Sequence, residues 1–228
     1  METLTPQPAL THRPQAVLFD WDMTLADGWA VIVESMNATL NSFGREAMTS
    51  KEMRFHIRRS LRDSFPGLFG EEWQKARKIY YQHFNRLHLD HIAPLDGAQE
   101  LLDGMRDMQI PIGMISNKGG KSLREEVELL GWTDRFGVIL GAGDCKADKP
   151  DPAPVLRACE VMGLTCCPSI IYAGDMDVDM ELAARCGLTG ALIGGADHPL
   201  HERAVELSSI TLANPLALLE YVANLPPR

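Results

Sequence analysis

Ala16-Val17-Leu18-Phe19-Asp20-Trp21-Asp22-Met23-Thr24-Leu25 is the stretch on which the fold turns. Its first four residues form an apolar run too short for a helix and of the right length for a buried strand. Two acids come immediately after it. Similar short apolar runs recur at 110–115, 136–140, 169–173 and 190–194. Between them lie helical patterns at 121–130, 153–162 and 178–186. Strands apolar on both faces, separated by helices, predict an α/β fold: a doubly wound, Rossmann-like parallel sheet covered on both sides. In such sheets the chemistry gathers at the carboxyl ends of the strands.

One stretch breaks the alternation. From 28 to 93 there is no strand signal, only three helical patterns. The first runs over 29–43 and stops near Gly44. The second opens at Thr49-Ser50-Lys51-Glu52, a capping-box spacing, and places Met53, Ile57 and Leu61 four apart. The third covers 71–89. The expected organisation is therefore a tail at 1–15, a core formed by 16–26 and 94–228, and an inserted helical domain at 27–93. An insert placed directly after the first strand would overhang the strand ends. Arg54, Arg58 and Arg62 lie beside the apolar residues of the second pattern, where they read as a solvated helix face or as a guide for an anionic substrate.

Composition narrows the function classes. The chain has 228 residues, 45% hydrophobic and 23% charged, as ordinary globular proteins do. A net charge of −9 argues against nucleic acid or an anionic membrane surface as the main partner. The 27–93 segment departs from that balance, with ten Lys and Arg against eight Asp and Glu. No apolar run approaches the roughly 18 residues a membrane span needs. Residues 1–14 lack the apolar centre of a secretory signal. Five cysteines without a Cys-x-x-Cys pair suit free thiols in a reducing cytoplasm. His83, His88 and His91 read as a wet helix end rather than a metal site.

The residues at the strand ends carry the chemistry. The first strand delivers Asp20 and Asp22, the second Ser116-Asn117-Lys118, and the fourth Gly174-Asp175-Met176-Asp177-Val178-Asp179. Lys149-Pro150 stands between the third strand and the helix after it. Parallel strands bring all of these to one edge. Carboxylates at Asp20, Asp22 and Asp175 or Asp179 offer the hard oxygens that Mg²⁺ takes. Without a cation they would repel, and one would be driven to hold a proton. Lys149 and Ser116 suit the oxygens of a phosphoryl group.

These residues, in this order, resemble the four motifs of the haloacid dehalogenase superfamily. Asp20-x-Asp22-x-Thr24 matches the first, Ser116 the second, Lys149 the third and Gly174-Asp175-x-x-x-Asp179 the fourth. The match runs over nearly the whole chain and is similar to the phosphoglycolate phosphatase-like branch, with 27–93 as a type 1 helical cap. The resemblance implies Asp20 as a nucleophile that becomes phosphorylated. It implies Asp22 as general acid and base, and Ser116, Asn117 and Lys149 as holders of the phosphoryl oxygens. Asp20, Asp22 (through its backbone carbonyl), Asp175 and Asp179 would hold Mg²⁺, and Asp177 would be a solvated acid. The implied substrate is a small phosphorylated metabolite. A phosphomutase of the same family, or a non-catalytic phospho-aspartate signalling or phosphate-binding module, remains compatible with these motifs. Two positions depart from the family: Met23 stands where many relatives carry Gly or Asn, and Trp21 is bulky.

Overall fold

Strand β1 (Ala16–Phe19) is followed by β2 (Ala26–Asp27) and four helices, α1 (Trp29–Ser42), α2 (Ser50–His56), α3 (Leu61–Phe69) and α4 (Trp73–His91). The chain returns through β3 (Ala93–Pro94), α5 (Ala98–Asp107), β4 (Ile112–Gly119), α6 (Gly120–Leu129) and β5 (Ile139–Ala142). It ends with α7 (Ala153–Met162), β6 (Ile170–Gly174), α8 (Asp177–Arg185), β7 (Thr189–Ile193), α9 (His201–Leu207), β8 (Ile210–Leu212) and α10 (Pro215–Ala223). This computed structural model describes residues 4–194, 196 and 198–228. Among them, no helix is long and apolar enough to cross a membrane.

Six strands form one parallel sheet in the order β5-β4-β1-β6-β7-β8. From β1 the chain winds outward through β4 and β5. It then crosses back to β6 on the other side of β1 and continues outward. The reversal leaves a crevice beyond the carboxyl ends of β1 and β6, which is where doubly wound sheets bind ligands. The α/β expectation holds, and its reason is visible in β1. Val17 and Phe19 face one apolar layer with Leu101, Leu123 and Leu218 of α5, α6 and α10. Ala16 and Leu18 face the other, with Val155 of α7 and Leu182 of α8. All four β1 residues are buried, as alternation between two covered faces requires.

A third apolar cluster belongs to the helical segment alone. Met36, Leu40, Met53, Phe65, Tyr80 and Phe84 are buried together in it. Thr49 and Glu52 form the expected capping box at the start of α2. Two details differ from the sequence reading. The second helical pattern is two helices, because Ile57 ends α2 and Ser60 begins α3, so Arg58 lies in the intervening loop and not on a continuous face. The sheet also has an edge strand, β8, whose three residues are too few and too exposed to show an apolar period. β2 and β3 pair antiparallel where the helical segment leaves and rejoins the core, Ala26 opposite Pro94 and Asp27 opposite Ala93. Ahead of β1, the Arg13 N–H donates to the Pro226 carbonyl at 2.9 Å, and Leu10 packs against the core.

Phe65 tests whether the helical layer has a packed interior of its own. It is fully buried, with ring centroids 5.0 Å from Phe69 and 5.9 Å from Tyr80. Phe65→Ala should cost about 3–5 kcal/mol in equilibrium denaturation. A loss under about 1 kcal/mol would mean that the layer is not packed in this way.

Candidate active site

Asp20 directly succeeds β1, and its N–H donates to the Ala173 carbonyl of β6 at 2.8 Å, which locks the residue to the crevice between the two strands. Asp175 succeeds β6, and Asp179 stands one helical turn further on in α8. Oxygens of Asp20, Asp175 and Asp179 all lie within 4.8 Å of one another, and all three residues are buried. One ammonium reaches into the group. Lys149 Nζ donates to Asp179 Oδ1 at 2.8 Å and faces Asp20 Oδ1 at the same distance. The other oxygen of Asp179 accepts from the Met176 N–H at 3.1 Å. Gly174 is obligatory here, since a Cβ on it would stand 2.4 Å from the Asp179 carboxyl carbon.

Three buried carboxylates share one buried ammonium, with the Arg54 guanidinium 3.7 Å from Asp175 at the rim, an unbalanced arrangement. Burial, then the charges of Asp179 and Asp20, push the Asp175 carboxyl well above its ordinary range. Burial also raises Asp179 to about 6, even with Lys149 pulling the other way. Burial alone would lower the Lys149 ammonium, but Asp179 and Asp20 more than offset it and hold it well above its usual value. Both oxygens of Asp175 are buried without a hydrogen-bond donor, and Asp20 Oδ1 has only its ion pair with Lys149. Orphaned hard oxygens in an electron-rich site are what a small divalent ion such as Mg²⁺ satisfies, so the residues present fit that ion.

Asp22 stands apart from this cluster. Its Oδ1 accepts from Lys118 Nζ at 2.8 Å, and burial raises its carboxyl to about 6. Ser116 is buried at the end of the regular part of β4, and its Oγ accepts from the Lys118 N–H at 3.2 Å. Asn117 is differently engaged. Its Nδ2 donates to the Arg58 carbonyl at 3.3 Å and the Lys149 carbonyl at 3.2 Å, so its side chain ties the helical segment to the core. All of the expected residues except Asp175 and Asp179 line one pocket. Its other walls come from the helical segment: Trp29, Ile32, Ile57, Tyr80 and Phe84, with Arg54, Arg58 and Arg59.

Two expectations fail. Asp177 is not solvated; it is fully buried, 2.5 Å from Arg58 Nη1. Its place in the first turn of α8 turns it towards the helical segment. His88 is not at a wet helix end either, since it is buried against Glu126 at 2.9 Å. Both escape a sequence reading for one reason: their partners are 119 and 38 residues away in the chain, and local pattern holds no trace of them. Arg54 and Arg62 likewise approach core acids, Asp175 at 3.7 Å and Asp148 at 2.9 Å. Met23 adopts φ +59°, the left-handed region that Gly and Asn tolerate best, which explains why those residues suit this position.

With this geometry in hand, comparison with known proteins is direct. Residues 17–193 match the haloacid dehalogenase-like hydrolase family. The chain belongs to that family. A phosphoglycolate phosphatase of Xylella fastidiosa is 32% identical over 200 residues, 84% of this chain and 86% of that one. A HAD-superfamily hydrolase of Ehrlichia chaffeensis superposes with a TM-score of 0.65 at 25% identity, covering 94% of this chain and 98% of the other. A haloacid dehalogenase-like family protein of Streptococcus pneumoniae gives 0.79 at 20% identity, covering 90% and 97%, which speaks for the fold alone. The chain is an enzyme, a hydrolase of the phosphatase type.

The raised carboxyls dictate a pH dependence for the metal-free HAD protein. A group whose pKa is higher folded than unfolded stabilises the fold while protonated, and that contribution is lost as the pH rises through the folded value. Asp22 and Asp179 lose theirs by about pH 6, and Asp175, raised well above its ordinary range, acts in the same sense. His198, lowered by burial, offsets part of this in the opposite sense. In EDTA the melting temperature should therefore fall between about pH 4 and about pH 6, and Mg²⁺ should restore it at the upper end. A melting temperature in EDTA that climbs steadily across that interval would contradict the account.

Proposed function

We propose that this chain hydrolyses a small phosphomonoester through a phosphorylated Asp20, with Mg²⁺ as cofactor. The observation that carries the reading is Asp20 at the switch point of the sheet, facing Lys149 at 2.8 Å and set among orphaned acid oxygens. In this reading residues 27–93 are a cap over a core made of 16–26 and 94–228, with 1–15 as a leading tail.

The carboxylate oxygen of Asp20 turned away from Lys149 attacks phosphorus in line, and the bond to the ester oxygen breaks with its electrons going to that oxygen. Asp22 gives the leaving oxygen a proton. It then takes one from the water that attacks the phosphoryl group on Asp20, and the Asp20–phosphorus bond breaks. Its pKa of about 6 suits a group that must both give and take a proton near neutrality. Ser116 Oγ and Lys149 Nζ hold the transferring oxygens. Asn117 contributes by fixing the loop that carries Ser116, since its amide is spent on backbone carbonyls. Asp20, Asp175 and the backbone carbonyl of Asp22 would hold Mg²⁺, with Asp179 orienting Lys149 from behind. Bound there, the ion neutralises charge on the nucleophile and the phosphoryl oxygens.

Phosphoglycolate is the substrate that the curated relatives' names suggest. The pocket supports an ester with a second anionic group. Arg54 and Arg58 approach Asp175 and Asp177, whereas Arg59 lines the same pocket with no carboxylate partner among the described residues. Arg59 is thus better placed than Arg58 to meet a substrate carboxylate.

Asp20→Asn should lower phosphate release from phosphoglycolate, sugar phosphates and nucleoside monophosphates by about a thousandfold or more, and EDTA should abolish it in the wild type. A variant with wild-type turnover would sink the mechanism. Arg59→Ala should raise KM for phosphoglycolate about tenfold with little change in kcat, whereas Lys75→Ala, on the far exposed face, should change neither. Equal KM values for the two variants would remove Arg59 from the substrate's path.

A further inference from the structure

Glu126 has no part in the chemistry above, yet it is fully buried and the most heavily served carboxylate in the protein's interior. Three side chains converge on it from three different elements. Trp21 Nε1, on the nucleophile loop, donates to its Oε2 at 2.6 Å. Lys118 Nζ, in the irregular end of β4, donates to the same oxygen at 2.6 Å. His88 Nδ1, on α4, sits 2.9 Å from its Oε1.

Lys118 then links this hub to the reaction. Its Nζ also donates to Asp22 Oδ1 at 2.8 Å, and it lies 5.3 Å from the centre of the Phe84 ring. Room for this contact is kept by Gly28, whose missing Cβ would stand 2.8 Å from Asp22 Oδ1 and 3.3 Å from Lys118 Nζ. A buried ion pair recovers little net stability over an apolar replacement, so a network this enclosed is better explained by the geometry it imposes. What it imposes is clear from the atoms. One oxygen of Asp22 is pinned, and the other is the only one left to meet a ligand.

We propose that Glu126, acting through Lys118, is the positioning residue that aims the Asp22 carboxyl at the leaving oxygen, and that His88 ties this aim to the docking of α4. The inference rests on the phosphatase reading, with Asp22 as general acid. Glu126 anchors Lys118 from behind. Without that anchor the ammonium is free to follow Asp22 into other rotamers, and proton delivery to the ester oxygen suffers. Trp21, held by the same carboxylate, keeps the loop between Asp20 and Asp22 from rotating.

The test compares substrates that need the proton with substrates that do not. An alkyl phosphate leaves as a strongly basic alkoxide unless protonated, whereas 4-nitrophenyl phosphate leaves as a stable anion. In Glu126→Gln and Lys118→Met, kcat/KM for the alkyl ester should fall about a hundredfold, while the 4-nitrophenyl ester should lose no more than about threefold. Lys118→Arg, which can still span both carboxylates, should recover most of the alkyl activity. Should Glu126→Gln fail to fold, His88→Leu removes one donor at the edge of the network and should shift the same ratio in the same direction. A merely structural role would depress both substrates alike, and equal losses across the variants would overturn the assignment. Wild-type protein that releases no phosphate from either ester, or an Asp20→Asn variant that releases it normally, would instead remove the phosphatase reading and this assignment with it.

Discussion

Everything in this protein is arranged around a charge imbalance: three buried carboxylates, Asp20, Asp175 and Asp179, gathered about the single ammonium of Lys149. Left in water these groups would separate. They are held together because each sits at the end of a strand or in the first turn of a helix packed on both faces, and none can retreat without tearing a backbone hydrogen bond such as Asp20 N–H to Ala173. The parallel sheet therefore stores the repulsion. A further anion would worsen the imbalance, and a divalent cation would relieve it.

How much of this can be read from sequence depends on the distance over which each feature is encoded. The sheet is legible because β1, β4, β6 and β7 are short, apolar and end in glycines or polar residues, all within windows of about ten residues. The gathering of Asp20, Ser116, Lys149, Asp175 and Asp179 at one edge is legible because each stands at or shortly after a strand end, and the parallel topology aligns those ends. Helix α2 and its capping box are legible on the same local grounds. Strand β8 is not, since an edge strand of three half-exposed residues has no period to detect. Asp177 and His88 mislead because burial here is set by Arg58 and Glu126, residues far along the chain. Lys118 is visible after the second strand, but nothing in its immediate neighbours says that its ammonium turns towards Asp22.

At the rim of the pocket the contacts between the helical segment and the core are ionic or polar, whereas His88 meets Glu126 in the buried interior. Arg54, Arg58 and Arg62 each meet a different core acid, and the Arg58 carbonyl accepts from Asn117. Such contacts depend on ionic strength and exchange readily with water, unlike the packed clusters on either side. Each side nonetheless keeps an apolar cluster of its own.

The two-residue ladder between β2 and β3 has a consequence for the history of the molecule. Because the outgoing and returning chains lie side by side there, the core sees the whole helical segment as a short turn, whatever its length. Closing a longer or shorter excursion between the same two points changes the loop entropy only slowly with length. Lineages can therefore lengthen, trim or replace the segment while the sheet below is left undisturbed. Selection can then act on one cassette of the gene without reopening the question of how Asp20 is held against Ala173.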